Sequence, residues 1–502
     1  MSVSEADRFD YIIVGGGLAG SVLASLLLVE AGPDVSKNET IPYANNTVFL
    51  IGSELDWGYL TVPQAHLNSR QMSNPASKCL GGGTAINACG WTRGHHAGFD
   101  QWAELVGDER YAYKNLLPYF IQTEEYHDAN ITPGQHGSEG PVYVATPSST
   151  GRRYPLREQL AQAWKENNVQ RLQGLDGNAG SPGGLRQLAS SVYPLEGVEV
   201  LTNTLVKRIL IEESATETLK PKAVGIETAD GKQYFGREII SAAGEIFSSL
   251  DIPVLFENPD LTQYWRLKDP SAGYALGSPN FPNHPEYGLG VPIDWMVSTD
   301  VLKDGLVKAI EADVGKSASS LSTHHSLLQS EPASAADPAI ALDGSHIAST
   351  IVHLLPTSKG AVTISSTDPA SSPVLDPHYF STEIYTYAWR TGLRMIARLF
   401  LGTEMGRSLI AGEAPPDAFG PVTLESEDEY LDARVRHGAF STYHLMGFCS
   451  MGKVADSSFR VHGVSNLSVV DASVIPVSIA AHIQATVYAL AELAAVTVME
   501  EA

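Results

Sequence analysis

The amino-acid sequence predicts an α/β protein. A parallel-sheet domain, assembled from separate stretches of chain, carries an inserted α+β domain of antiparallel sheet plus helices. Three observations predict it. An apolar strand runs into a glycine turn near the N-terminus, a strand followed by a long apolar helix closes the chain, and the middle is rich in short strands and turn residues. At 502 residues and 43% hydrophobic content, the chain can bury a substantial core.

Taken in order, Tyr11–Val14 reads as a buried strand, Gly15–Gly20 as a turn into a helix beginning near Ser21, and Leu26–Glu30 as a second buried strand. Irregular sequence follows to about Met72. Gly81-Gly82-Gly83 is a second glycine turn, and Ala85–Ala88 looks like the opening of a helix. Tyr113–Glu125 and Arg157–Asn168 read as helices, separated by a stretch rich in Gly, Pro, Ser and Thr. Val198–Thr202, Val206–Ile211, Ala223–Ile226, Gln233–Phe235 and Glu238–Ser241 are short strands, with a hairpin turn at Ala229–Gln233. Gln263–Asp343 has little pattern and predicts long loops. Ala348–Leu355 and Gly360–Ser365 look like a strand pair, Glu383–Phe400 a helix, Asn466–Asp471 a strand and Ile483–Met499 a helix. The first domain then takes residues 1–130, 190–260 and 440–502, and the second takes 131–189 and 261–439.

Charge and composition exclude several function classes. With 33 basic against 57 acidic residues and a formal charge of −24, the surface should repel phosphate backbones, so no nucleic-acid partner is expected. The three cysteines, Cys79, Cys89 and Cys449, form no disulfide or zinc pattern and are expected as buried thiols. His95-His96 and His324-His325 are adjacent pairs, without the i,i+4 spacing of helix-borne ligands, so no metal is expected. Pairs such as Glu124-Glu125 read as solvated faces. No basic and apolar leader precedes the first strand, and no run approaches the ~18 apolar residues of a membrane span, which predicts a cytoplasmic protein without a membrane partner.

The chemistry begins at Gly15, Gly17 and Gly20, a G-x-G-x-x-G motif directly after an apolar strand. Such glycines permit a tight turn, close backbone approach to a pyrophosphate and close helix–strand packing, and Glu30 at the end of the next strand would accept ribose hydroxyls. The spacing is unusual. Only residues 21–29 separate Gly20 from Glu30, whereas the acid usually follows by ~20 residues and a parallel crossover needs a dozen or more. The packing of so short a helix on the sheet is the expected weak point.

"SKCLGGGTAINACGWTRGHHAGFDQWAELVGDERYAY", Ser77–Tyr113, resembles the first signature of the glucose–methanol–choline (GMC) flavin oxidoreductases. "STYHLMGFCSMGKV" (Ser441–Val454) and "FRVHGVSNLSVVDASVIPVSIAAHIQAT" (Phe459–Thr486) resemble the family's C-terminal segments. His136–Val144, Asp56–Gln64 and Pro356–Tyr379 are similar to further family blocks, so the resemblance spans nearly the whole chain. It implies a Rossmann-like FAD-binding domain with an inserted substrate domain. It implies FAD held by Gly15, Gly17, Gly20, Glu30, Lys78, Gly82, Thr84, Asn87, the Val206 backbone, Ala243, Asp471 and Ala472. Asp471 read alone is equally a cap for the following turn.

The same resemblance puts His444 and His482 at the catalytic positions, with His444 the better candidate for the base and His482 orienting the substrate and stabilising a developing alkoxide. A neutral imidazole suits that task near physiological pH. The implied reaction oxidises a small-molecule alcohol, with oxygen or a quinone as electron acceptor. The alternatives are a non-redox lyase or cyclase that keeps FAD, and a flavin-free, inactive relative. The last is motivated by two apparent deletions, in the Gly20–Glu30 crossover and in Ser241–Asp260, where the family's second signature is missing. Phe448 also stands where the family usually has threonine.

Overall fold

The fold was obtained as a computed structural model. It describes residues 8–24, 26–43, 46–128, 133–146, 149, 151, 153, 155–169, 177–181, 185–213, 220–244, 259–269, 295–300, 303–314, 325–332 and 344–500. The second apparent deletion falls on residues 245–258, outside this set.

Five parallel strands form the first sheet, in the spatial order Glu199–Leu201, Leu27–Val29, Phe9–Val14, Gln233–Ser241 and Leu467–Val469. The sequence of the middle three strands explains why both sheet faces are covered. Ile13, Leu28 and Ile240 point into one core, whereas Ile12, Leu27, Val29 and Ile239 point into another. A run that is apolar on both faces is what a covered parallel strand requires. The first core is closed by the Leu18–Leu23 and Gln484–Glu500 helices, which pack on each other. The long helix presents small buried residues there, including Ala485, Ala489 and Ala491, which allow close approach. The second core is closed by an antiparallel meander of Val206–Glu212 and Lys222–Thr228, with Val206 and Ile226 buried in it.

Gln233–Phe235 and Glu238–Ser241 prove to be one strand, Gln233–Ser241. Its start pairs antiparallel with Lys222–Thr228 and its end pairs parallel with Phe9–Val14. Continuity costs nothing here, because the strand simply changes partners along its length.

The second sheet is antiparallel, in the order Trp295–Asp300, His325–Pro332, His346–His353, Pro259–Leu267 and Ile410–Ala414. Its core joins Trp265, Trp389, Leu393 and Phe400, with the Glu383–Ala397 helix packed on the His346–His353 strand. Two expectations are corrected here. The pattern-poor Gln263–Asp343 stretch holds the Pro259–Leu267, Trp295–Asp300 and His325–Pro332 strands and the Lys303–Val314 helix. Nor do Ala348–Leu355 and Gly360–Ser365 pair with each other. His346–His353 is buried at every position and needs partners on both edges, while Ala361–Thr363 pairs with Val374–Asp376.

Smaller elements also depart from the sequence reading. The first helix starts at Leu18, not Ser21, because Gly17 caps it and both the amide and the hydroxyl of Ser21 bond the Gly17 carbonyl. Ala85–Ala88 does not open a helix. A 3₁₀ turn covers Gly82–Ala85, and Oδ1 of Asn87 then accepts the amide of Cys89, diverting the chain. His96–Val106 is a helix the sequence reading passed over, capped by His95, whose ring accepts the Ala97 amide. The Tyr113–Thr123 helix ends two residues early, since Glu124–His127 is drawn into a strand parallel to Val142–Ala145. Glu124 is no solvated face: it is 0% exposed and paired with Arg93. The three cysteines are buried free thiols. Among the described residues, no helix is long and apolar enough to cross a membrane.

Candidate active site

Parallel strands end where their ladder hydrogen bonds run out, and loops at their carboxyl ends gather ligands. Here those ends are laced together. The Gly15 amide donates to Val29 O (2.8 Å), Glu30 N to Leu201 O (2.8 Å), Ala242 N to Val14 O (2.8 Å) and Val470 N to Ser241 O (2.8 Å). Gly15, Glu30, Ala243 and Asp471 are therefore brought side by side at one edge of the domain.

The two glycine turns meet at this edge, backbone against backbone. Gly82 adopts φ +56°, and a Cβ there would lie 2.4 Å from the Gly17 Cα, so only glycine permits the contact. On the open side, an added Cβ at Gly17 would find its nearest atom at 3.7 Å, and one at Gly83 nothing within 4 Å. The result is a cradle in which main chain meets main chain at Gly17 and Gly82, open beside Gly83.

The short crossover is accommodated by Gly20, where any Cβ would fall 1.9 Å from the Gly15 carbonyl oxygen. The helix therefore lies directly on the turn, and Ala19 and Leu23 still reach the core.

Glu30 is buried, and its oxygens accept the Gly16 and Gly32 amides, both at 2.8 Å. Burial pushes its carboxyl up, against the pull of those amides and of Lys78. The Lys78 ammonium lies 4.5 Å over the Trp57 ring. Val206 lies just beyond this cluster, buried, two residues after Thr204, whose amide bonds Glu30 O. Asp471 is buried and raised by that burial, while it accepts the Ser473 and Gly244 amides at 2.8 and 3.0 Å. It does cap the following turn, Ala472–Val474. The Ala472 carbonyl accepts the Gly447 amide (3.4 Å), tying this strand end to the His444 segment.

Two residues named from the resemblance hold the protein to itself. The Thr84 hydroxyl donates to Gly81 O at 2.5 Å and accepts from Ala189 N at 2.9 Å. The Asn87 amide donates to Oε1 of Gln484 at 2.7 Å, linking the second glycine turn to the segment that carries His482. Behind both sits Arg186, which sequence reasoning missed. Its buried guanidinium donates to Ile41 O, Thr84 O, Oδ1 of Asn87 and Oγ1 of Thr47 at 2.8–3.1 Å. An isolated arginine between Leu185 and Gln187 carries no motif, and only its four acceptors reveal its role.

His444 and His482 come together from segments far apart in sequence. Nε2 of His444 lies 3.3 Å from Nδ1 of His482, and the rings meet edge-on at 80°. Nδ1 of His444 is buried without a hydrogen-bond partner. The His482 amide donates to Oγ1 of Thr92 at 2.7 Å, and the ring packs closely over Gly90, where a Cβ would lie 3.1 Å from it. Burial, then the neighbouring His482, holds the His444 imidazole well below its ordinary range. Burial lowers His482 to about 4. Both rings are neutral near pH 7, able to accept protons. Phe448 is buried in the same core.

Two family models described as GMC oxidoreductase match residues 9–252 and 356–491. The chain belongs to the GMC oxidoreductase family. It is similar to the GMC-type oxidoreductase acuG of Aspergillus aculeatus, at 35% identity over 97% of this chain and 98% of that protein. It is also similar to pyranose dehydrogenase 3 of Leucoagaricus meleagris, at 27% identity over 98% and 92%. The crystal structure of formate oxidase shares the fold, with a TM-score of 0.85, 24% identity and 99% of both chains covered. The alignment with the Aspergillus protein runs over 546 positions against a chain of 502, so this GMC oxidoreductase lacks segments its relative carries. FAD is the cofactor of the family, and the main-chain cradle and the buried acids around it fit a flat dinucleotide.

Proposed function

We propose that this GMC oxidoreductase oxidises a small alcohol to the corresponding carbonyl compound, with His444 as base and His482 as its orienting partner. The reading rests on the contact between two buried imidazoles held below their ordinary range. FAD, when bound, supplies the hydride acceptor. The Gly15–Gly17 and Gly81–Gly83 main chain, Glu30, Lys78, Ala243, Asp471 and Ala472 would hold it, with Asn87, Thr84 and Val206 supporting that shell. Nε2 of His444 takes the hydroxyl proton, the alcohol oxygen replacing His482 as its partner. His482, held through its amide by Thr92, donates a hydrogen bond to the oxygen as negative charge develops there. Removal of the proton by a positioned imidazole contributes about 10²–10⁴-fold.

The test is turnover of a panel of primary, secondary and sugar alcohols by the purified, FAD-loaded protein, with the carbonyl product measured directly. Carbonyl formation that is lost in His444→Ala is the expected outcome. Release of a carbonyl by bond cleavage with no net oxidation would favour the non-redox alternative.

A further inference from the structure

The strand Gly90–Trp91 runs on into Thr92 and Arg93, and the contacts of these four residues alternate between two sides. On one side stand Gly90, under the His482 ring, and Thr92, whose hydroxyl accepts the His482 amide. On the other side stand Trp91 and Arg93, and both reach the same carboxylate. The Trp91 indole donates to Oε2 of Glu124 at 3.0 Å, and the Arg93 guanidinium pairs with Oε1. That oxygen also meets Nδ1 of His136 (2.7 Å) and the Gly137 amide (3.2 Å), while Arg93 donates further to Gln135 O. Trp91, Arg93 and Glu124 are 1%, 7% and 0% exposed.

We infer that Glu124 is a positioning residue for His482, fixing through Trp91 and Arg93 the strand whose opposite face seats that imidazole. This rests on the proposed role of His482. A buried carboxylate is costly unless its donors are fixed, so the donors and the strand that bears them are fixed with it. Trp91 extends the effect, since its ring packs 5.6 Å from Tyr488 on the helix that follows His482. A rigid second layer of this kind is what holds a reacting group within the narrow tolerance catalysis needs.

The test compares the FAD-loaded enzyme with Glu124→Gln and Trp91→Phe, using the alcohol turned over fastest by the unaltered protein. In Glu124→Gln, hydrogen–deuterium exchange at the His482 amide should quicken about tenfold, while Val206–Glu212 stays as protected as before. The same variant should lose about 10- to 100-fold in kcat with KM within about threefold, as misplacement of a reacting group predicts. Trp91→Phe, which keeps the charged pair, should show the same changes at smaller size and carries the test alone should Glu124→Gln fail to fold. Thr92→Val combined with Glu124→Gln should be less than additive, since both act on one strand. Unchanged exchange at His482, or exchange that quickens equally in Val206–Glu212, overturns the inference. Exchange that quickens at His482 alone with kcat unchanged upholds the anchoring and instead contradicts the role proposed for His482.

Discussion

Nε2 of His444 faces Nδ1 of His482 across 3.3 Å, so the two rings share a single proton and their tautomers are coupled. Whichever nitrogen donates, the other ring must accept, and the outer nitrogens take the complementary states. With the roles proposed, the pair would act as one acid–base unit. His444→Ala and His482→Ala should each lower kcat by about 10²–10⁴-fold. The double variant should be little worse than either single one, as for groups that act together. Bound FAD, read from the visible spectrum, should stay at wild-type level in all three, because neither ring lies in the glycine cradle.

The acid limb of the pH profile follows from the same burial. A histidine works as a base only when unprotonated, and here both rings are depressed, His482 to about 4. Activity should hold as pH falls through the usual histidine range and decline only in more acid solution. Stability should behave consistently. Between about 4 and the unfolded value near 6.5 the unfolded chain binds protons that the folded chain refuses, so stability is lost as pH falls through that window. A kcat/KM profile with its acid inflection near 6.5 would contradict the depressed values.

Gly82→Ala should separate the two glycine turns. The new methyl group would meet the Gly17 Cα at 2.4 Å, at a φ that L residues rarely adopt. Both partners are main chain, so nothing flexible can give way. Loss of bound FAD and a lower Tm are expected, with FAD content measured on the purified protein and Tm by calorimetry.

Arg186→Leu should destabilise the same region from behind. It strands four acceptors around a buried position, including Oδ1 of Asn87 and the Thr84 carbonyl. Leaving a buried acceptor without its donor costs about 1–3 kcal/mol. Chemical denaturation should show that loss, together with weaker FAD retention, while Arg186→Lys should recover only part because it cannot span the four acceptors.

Much of the α/β domain was legible in the sequence, for a physical reason. Parallel strands covered on both faces are nearly all apolar, so Tyr11–Val14 and Leu26–Glu30 announce themselves. The second sheet was not legible: Pro259–Leu267 mixes Asp, Thr, Gln and Arg with its apolar residues, and its polar groups are satisfied only by distant partners, such as Gln263 bonding Glu413. The candidate site was read from motif blocks, which mark where main chain must be bare or a side chain must ionise. Arg186, Thr92 and Glu124 escaped because each acts on a residue remote in sequence. Glu124 was read as solvated, although Trp91 and Arg93 converge on it from across the fold.

In the proposed reaction, this chain's own histidines drive oxidation of an alcohol by bound FAD. Anaerobic mixing of the FAD-loaded protein with an alcohol panel, followed in the visible spectrum, tests it most directly. At least one alcohol is expected to bleach the flavin of the unaltered protein, while His444→Ala retains its colour with the same alcohol. Flavin that bleaches at full rate in both His444→Ala and His482→Ala, or protein that binds no FAD even when it is supplied, would contradict it.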